Sequence, residues 1–220
     1  MYTIRPFVDR SCMCIIGLDP SSSELGFGSI WVDPKTFEIV HVDAFTIYGR
    51  HYLKGRESYE DSYGAMHTRL LGMGEDILSL FNFLEPISIA AEAPFISMRT
   101  KSAFEPLISC VNVIRDQVHN YDDYKVLHMY TPSEAKKALS GIGSGGKDGV
   151  ADAFKTLFGP IYRGPRPLTT LETHCTDAVA IAYCRYLELL TAHRDEQRRY
   201  GARFSRRRMR ASEKRTKRNK

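Results

Sequence analysis

Three carboxylates interrupt apolar stretches of the chain. Asp19 closes the run "CMCIIGLDP", Glu92 sits among small apolar residues in "AAEAPF", and Asp177 opens the run "DAVAIAYC" with His174 three residues before it. Taken singly, each has an ordinary explanation: a turn after a strand, a strand-end residue, or a helix N-terminal charge stabilised by the helix dipole. Taken together they point elsewhere, because a buried carboxylate is costly unless it is paired or bound to a cation. The spacing of three places His174 and Asp177 on one helical face. Three carboxylates and an imidazole are an oxygen-dominated ligand set suited to Mg²⁺ or Mn²⁺, not the sulfur-rich set that selects structural zinc. Two such ions about 4 Å apart can activate a water and stabilise the leaving oxygen of a phosphodiester.

Two basic features suggest whose phosphodiester that is. The segment "TPSEAKKALSGIGSGGKDGVADAF" has glycines like those of a phosphate loop, but Asp148 follows Lys147, which departs from the nucleoside triphosphatase order. Exposed backbone amides and Lys147 near a helix start, with Lys136 on the preceding helix, suit a nucleic-acid phosphate instead. The charge is also asymmetric. The whole chain carries +5, yet from Arg194 onward thirteen Lys or Arg stand against Asp195, Glu196 and Glu213, a net of +10 that leaves the first 193 residues at −5. A tail this dense, with Arg206, Arg207 and Arg208 in succession, predicts a polyanionic partner.

These residues need a scaffold. The length of 220 residues suits one sizeable core. Strands are expected over Cys12–Leu18, Gly26–Val32 and Phe37–Ile47, which form an antiparallel meander. Residues 50–63 read as a polar, tyrosine-rich loop that leads into a helix over Tyr63–Phe83. The strand "ISIAAEAPF" follows, then a helix over Phe104–Val118 whose start is placed near Ala103 by Pro106. "YKVLHMY" is a fifth strand, and Thr131, Pro132 and Glu134 predict a capped helix start. Glycines 141 to 146 break that helix before another resumes over Asp148–Phe158, and a last core helix is expected from about Glu172 to Ala192. The alternation predicts an α/β domain over residues 12–193, a mixed five-stranded sheet flanked by helices, with residues 194–220 as a basic, partly disordered, DNA-contacting tail. The five cysteines form no Cys-x-x-Cys pair. No apolar run approaches the roughly 20 residues of a membrane helix, and Arg5 and Asp9 within the first ten residues do not suit a signal peptide, so a cytoplasmic location is expected (the host cytoplasm for a viral protein).

In order along the chain, "IIGLDPSSSELGFGSI", "AAEAPF", "GIGSGGK" and "HCTDAVAIA" together resemble the RuvC-type Holliday-junction resolvases of the RNase H-like superfamily, over about Ile15 to Cys184. That resemblance implies an RNase H-like fold and a divalent-metal site of Asp19, Glu92, His174 and Asp177. It puts Lys136 and Lys147 near the scissile phosphates and Phe95 at the branch point. The implied enzyme is a homodimer that binds two Mg²⁺ ions per site, with Mn²⁺ able to substitute, and makes paired nicks across a four-way DNA junction. The stretch between Asp19 and Glu92 is longer than in typical bacterial members, and the tail is more basic. Both features resemble bacteriophage versions. Two competing readings are an RNase H-like nuclease for flaps, hybrids or packaged DNA, and a catalytically silent junction-binding architectural protein.

Overall fold

The structure is a computed structural model that describes residues 6–94, 101–141 and 147–218; for residues 101–103, 147, 148, 150 and 200–218 it describes the backbone only. Five strands form one sheet in the order β3-β2-β1-β4-β5. They are β1 (Met13–Pro20), β2 (Glu24–Val32), β3 (Ile39–Tyr48), β4 (Ser88–Glu92) and β5 (Leu127–Tyr130). The first three form the expected antiparallel meander, and β4 and β5 add in parallel beside β1. Six helices are described: α1 (Glu57–Tyr63), α2 (Ala65–Leu84), α3 (Lys101–Tyr121), α4 (Pro132–Ser140), α5 (Lys147–Phe158) and α6 (Thr173–Arg218). By its internal contacts the chain divides into Met1–Arg185 and Tyr186–Lys220. No helix among the described residues is long and apolar enough to cross a membrane.

Strand β1 is apolar at nearly every position because both of its faces are covered. Cys14, Ile16 and Leu18 join Phe27, Trp31, Phe45 and Ile89 in a core with Met73, Ile77 and Phe81 of α2 and Ile114 and Val118 of α3. The alternate residues, Gly17 and Asp19, face α6. Here the helix backbone comes very close to the sheet. A Cβ on Gly17 would collide with the Ala178 carbonyl and the Ala182 amide, and one on Gly28 would press on Val179. Ala178, Val179, Ala180, Ile181 and Ala182 are all buried, and Ala178, Val179 and Ala182 are the ones that meet these glycines.

Several elements differ from the expected bounds. Residues 50–63 are not a plain loop. Gly49–Tyr52 is a 3₁₀ turn and α1 follows, ending at Gly64, whose φ of 83° starts a separate helix instead of extending one from Tyr63. Strand β5 is shorter than "YKVLHMY", because Lys125 N–H closes a turn on the Asp122 carbonyl at 3.0 Å and leaves Tyr124 exposed. Helix α3 begins at Lys101, not Ala103, so Pro106 lies inside it. The proline supplies no N–H to the carbonyl four residues back, which near a helix start removes a single bond. Helix α6 runs past Ala192 to Arg218.

The α4 start is as expected. Glu134 N–H donates to Thr131 Oγ1 at 3.3 Å, and Thr131 N–H donates to Glu134 Oε2 at 2.7 Å.

Because the Gly17 clash is with helix backbone, no side chain can move to relieve it. Gly17→Ala should therefore destabilise the fold by about 3 kcal/mol or more. Denaturant unfolding checks this, and a variant as stable as the parent would refute the close packing.

Candidate active site

The three parallel strands β1, β4 and β5 end at one edge of the sheet, where open α/β folds place their ligands. Leu18 pairs with Ala91, so Asp19 and Glu92 each stand one residue further along neighbouring strands, on the face turned to α6. Glu92 pairs in turn with Tyr130, and the chain leaves β5 at Thr131 directly into α4, which carries Lys136. Across β1, Asp19 pairs with Gly26 of β2. A Cβ on Gly26 would strike the His174 carbonyl, so the first turn of α6 rests on β2 backbone. That seat brings His174 Nδ1 into a short hydrogen bond with Asp19 Oδ2.

The electrostatics show how closely these groups are gathered. Burial, then the neighbouring carboxylates of Asp19 and Asp177, push the Glu92 carboxyl up to about 7. Lys136 and His174 act in the opposite direction and do not cancel the rise. The bond to Asp19 raises the His174 imidazole above its ordinary value, with further support from Glu24 and Asp177. Asp19 is buried, whereas His174 is partly open to solvent. Among the described residues no three His, Cys, Asp or Glu side chains close tightly enough on one point to hold an ion. The group is an acidic cluster rather than a finished coordination shell. Its donors nevertheless fit a hard divalent cation in kind: carboxylate oxygens with one imidazole, and an excess of negative charge that the local cations leave uncompensated.

Of the residues singled out in the sequence, Asp19, Glu92 and His174 thus stand at one strand edge, with Asp177 and Lys136 near enough to act on the Glu92 carboxyl. Lys147 is the first residue of α5, with its side chain outside the described atoms. Phe95 lies outside the described residues. Arg206, Arg207 and Arg208 belong to the helical backbone of the Tyr186–Lys220 unit, and their side chains are likewise not described.

A second group at this edge was not anticipated. Glu172, just before α6, accepts hydrogen bonds from Thr46 Oγ1 at 2.5 Å and from the Tyr48 hydroxyl, and pairs with Arg166 at 3.1 Å. The available signal was Thr46, a polar residue inside the apolar run "AFTIY".

The family model of the crossover junction endodeoxyribonuclease RuvC matches residues 15–185. The chain belongs to the RuvC family. Similar curated members include the crossover junction endodeoxyribonuclease RuvC of Bacteroides fragilis, 26% identical over 177 residues that cover 80% of this chain and 82% of that protein. The Thermus thermophilus RuvC is 26% identical over 171 residues, covering 77% of this chain and 91% of its own. The structure of T. thermophilus RuvC superposes with a TM-score of 0.59 at 20% identity, over 81% of this chain and 97% of that one. The yeast mitochondrial Holliday junction resolvase gives a TM-score of 0.55 at 11% identity, over 90% and 87% of the two chains. The mixed five-stranded sheet with its flanking helices is therefore the RuvC-type, RNase H-like fold, and the family is one of nucleases.

Glu92 has an ordinary value of 4.5 and about 7 in the folded protein. The folded state thus holds its proton more tightly, and the stability this group lends falls as pH rises from 4.5 to about 7. Without metal, the thermal midpoint should fall across that window. Glu92→Gln should flatten the fall and stabilise the chelated protein at pH 8 by roughly 1–3 kcal/mol, a few degrees of midpoint. Parallel wild-type and variant curves in EDTA would contradict the assigned environment.

Proposed function

We propose that this protein is a divalent-metal-dependent endodeoxyribonuclease that resolves four-way DNA junctions by paired nicks, acting as a homodimer. The observation that supports the reading is the contact of His174 with Asp19 beside Glu92 at the sheet edge, in a chain whose family is named for crossover junction cleavage. A solved structure of the T. thermophilus relative is described as a complex with Holliday junction substrate, which supports the same substrate class here.

In this reading Asp19, Glu92 and Asp177 hold two Mg²⁺ ions, with Mn²⁺ able to replace them, and His174 stands as a ligand or a base beside them. Bound there, such ions supply a nucleophilic water at neutral pH and charge stabilisation for the leaving oxygen. The chain's own residues set the stage for that chemistry. The Asp19 carboxylate, accepting from Nδ1–H of His174, orients the imidazole, whose Nε2 is the free nitrogen in the neutral ring. Lys136, already acting on Glu92, and Lys147 at the start of α5 offset charge that develops on the phosphate. Phe95, three residues beyond Glu92, stacks at the branch point. Residues 12–193 carry the nuclease and 194–220 form a basic arm, with Arg206, Arg207 and Arg208 among its phosphate contacts.

Given Mg²⁺ and a panel of four-way, flap, linear and hybrid substrates, the wild-type protein should make two symmetry-related nicks in the four-way junction. Asp19→Asn keeps an acceptor for His174 but removes the charge. It should lower nicking on the order of 10³-fold or more and leave junction binding within about threefold. A D19N protein that nicks at the wild-type rate would sink the site. Ending the chain at His193 should weaken junction binding and flatten its salt dependence, by about 0.9 in log–log slope for each phosphate contact removed. An unchanged slope would rule out the arm as a DNA contact.

A further inference from the structure

Glu172 is held from three sides at the point where α6 begins. Thr46 and Tyr48 stand at alternate positions of β3, on the face that meets α6, and both hydroxyls donate to its carboxylate. Arg166 reaches the same carboxylate from the preceding loop, and its guanidinium also lies 5.7 Å from the centre of the Tyr48 ring. The Arg50 guanidinium stands 4.6 Å from that ring centre. Thr46 Oγ1 is also 3.3 Å from Cys175 Sγ, and Cys175 N–H donates to the Glu172 carbonyl at 3.0 Å. Residues 172 and 175 are thereby gripped by β3, with His174 between them. On its other side His174 has its backbone against Gly26 of β2.

We propose that Glu172 is a positioning residue for the nuclease site: it touches neither DNA nor metal, and it holds the first turn of α6 so that the His174 imidazole meets Asp19. This inference rests on the nuclease reading above. The rest of α6 in the first unit does not depend on the grip, because Ala178, Val179 and Ala182 pack directly on Gly17 and Gly28 of the sheet. Loss of the grip therefore loosens a single turn and leaves the fold standing. The effect on chemistry is larger than the effect on stability, since a displacement of about 1 Å in a reacting group can cost on the order of 10²-fold in rate.

The experiment compares Glu172→Ala, Thr46→Val and Thr46→Ser in the full-length protein. E172A should lower the single-turnover rate of junction cleavage with Mg²⁺ about 10- to 100-fold, while junction affinity in EDTA stays within about twofold. T46V, which removes one donor at nearly constant shape, should show a smaller loss of the same kind, and T46S, which keeps the hydroxyl, should restore the rate. The double variant E172A/T46V should be no slower than E172A, as expected of two residues in one network. A readout without catalysis is the His174 ring signal in proton–carbon NMR, identified by its absence in His174→Gln. That signal should move toward free imidazole in E172A and T46V and stay in place in T46S. Where E172A does not fold, T46V and Tyr48→Phe carry the same comparison. An E172A protein that cleaves at the wild-type rate overturns the proposal, as does a rate loss with the His174 signal unmoved. A wild-type protein that cuts no branched DNA overturns the nuclease reading instead, and the NMR comparison then still decides whether Glu172 positions His174.

Discussion

The contact between the backbone of α6 and the backbones of β1 and β2 is the constraint on which the rest of the structure depends. Gly17, Gly28 and Gly26 mark its course. Side chains there would meet Ala178 and Ala182, Val179 and the His174 carbonyl in turn. Small residues on the helix complete the approach, with Ala178 and Ala182 fully buried against Gly17. At this distance the first turn of the helix cannot avoid the end of β1. The pairing of Asp19 with Gly26 puts the carboxylate beside a strand position open enough to admit the His174 backbone.

That geometry has an electrostatic consequence. Asp19 and Glu92 end adjacent parallel strands and Asp177 comes from the helix above them, so three negative charges share a place with little water. The proton held by Glu92 up to about 7 is the sign of that crowding. Functional sites often carry such destabilising arrangements, held together by rigid neighbours. Here the neighbours are the sheet ladder, the packed helix and the Glu172 network with Thr46, Tyr48 and Arg166. Asp43 of β3 shows the structural counterpart. Burial pushes it up to about 6, and it accepts a bond from Phe7 N–H at 3.2 Å.

Much of this was legible in the chain because the relevant signals are local. Asp19, Glu92 and Asp177 stand out as charges inside apolar runs, and the Thr131 to Glu134 cap is written in four adjacent residues. The strand order in sequence also led to a mixed sheet, because the alternation of β4, α3 and β5 requires crossovers. Less legible were features set by a single backbone angle or by partners far away. Gly64 could have sat inside a helix; its φ of 83° divides α1 from α2. Thr46 looks like any polar residue in a strand until Glu172, 126 positions later, arrives beside it.

Residue types and their spacing were enough to indicate the class of fold, the candidate acidic residues and the basic end of the chain, since periodicity and charge are properties of neighbours in sequence. They could not say which donors meet. Strand register, which sets Asp19 beside Glu92, and the depth at which α6 packs, which sets His174 against Asp19, depend on contacts between segments more than seventy residues apart. Those distances are closed by burial of the whole core at once, and no local pattern encodes them.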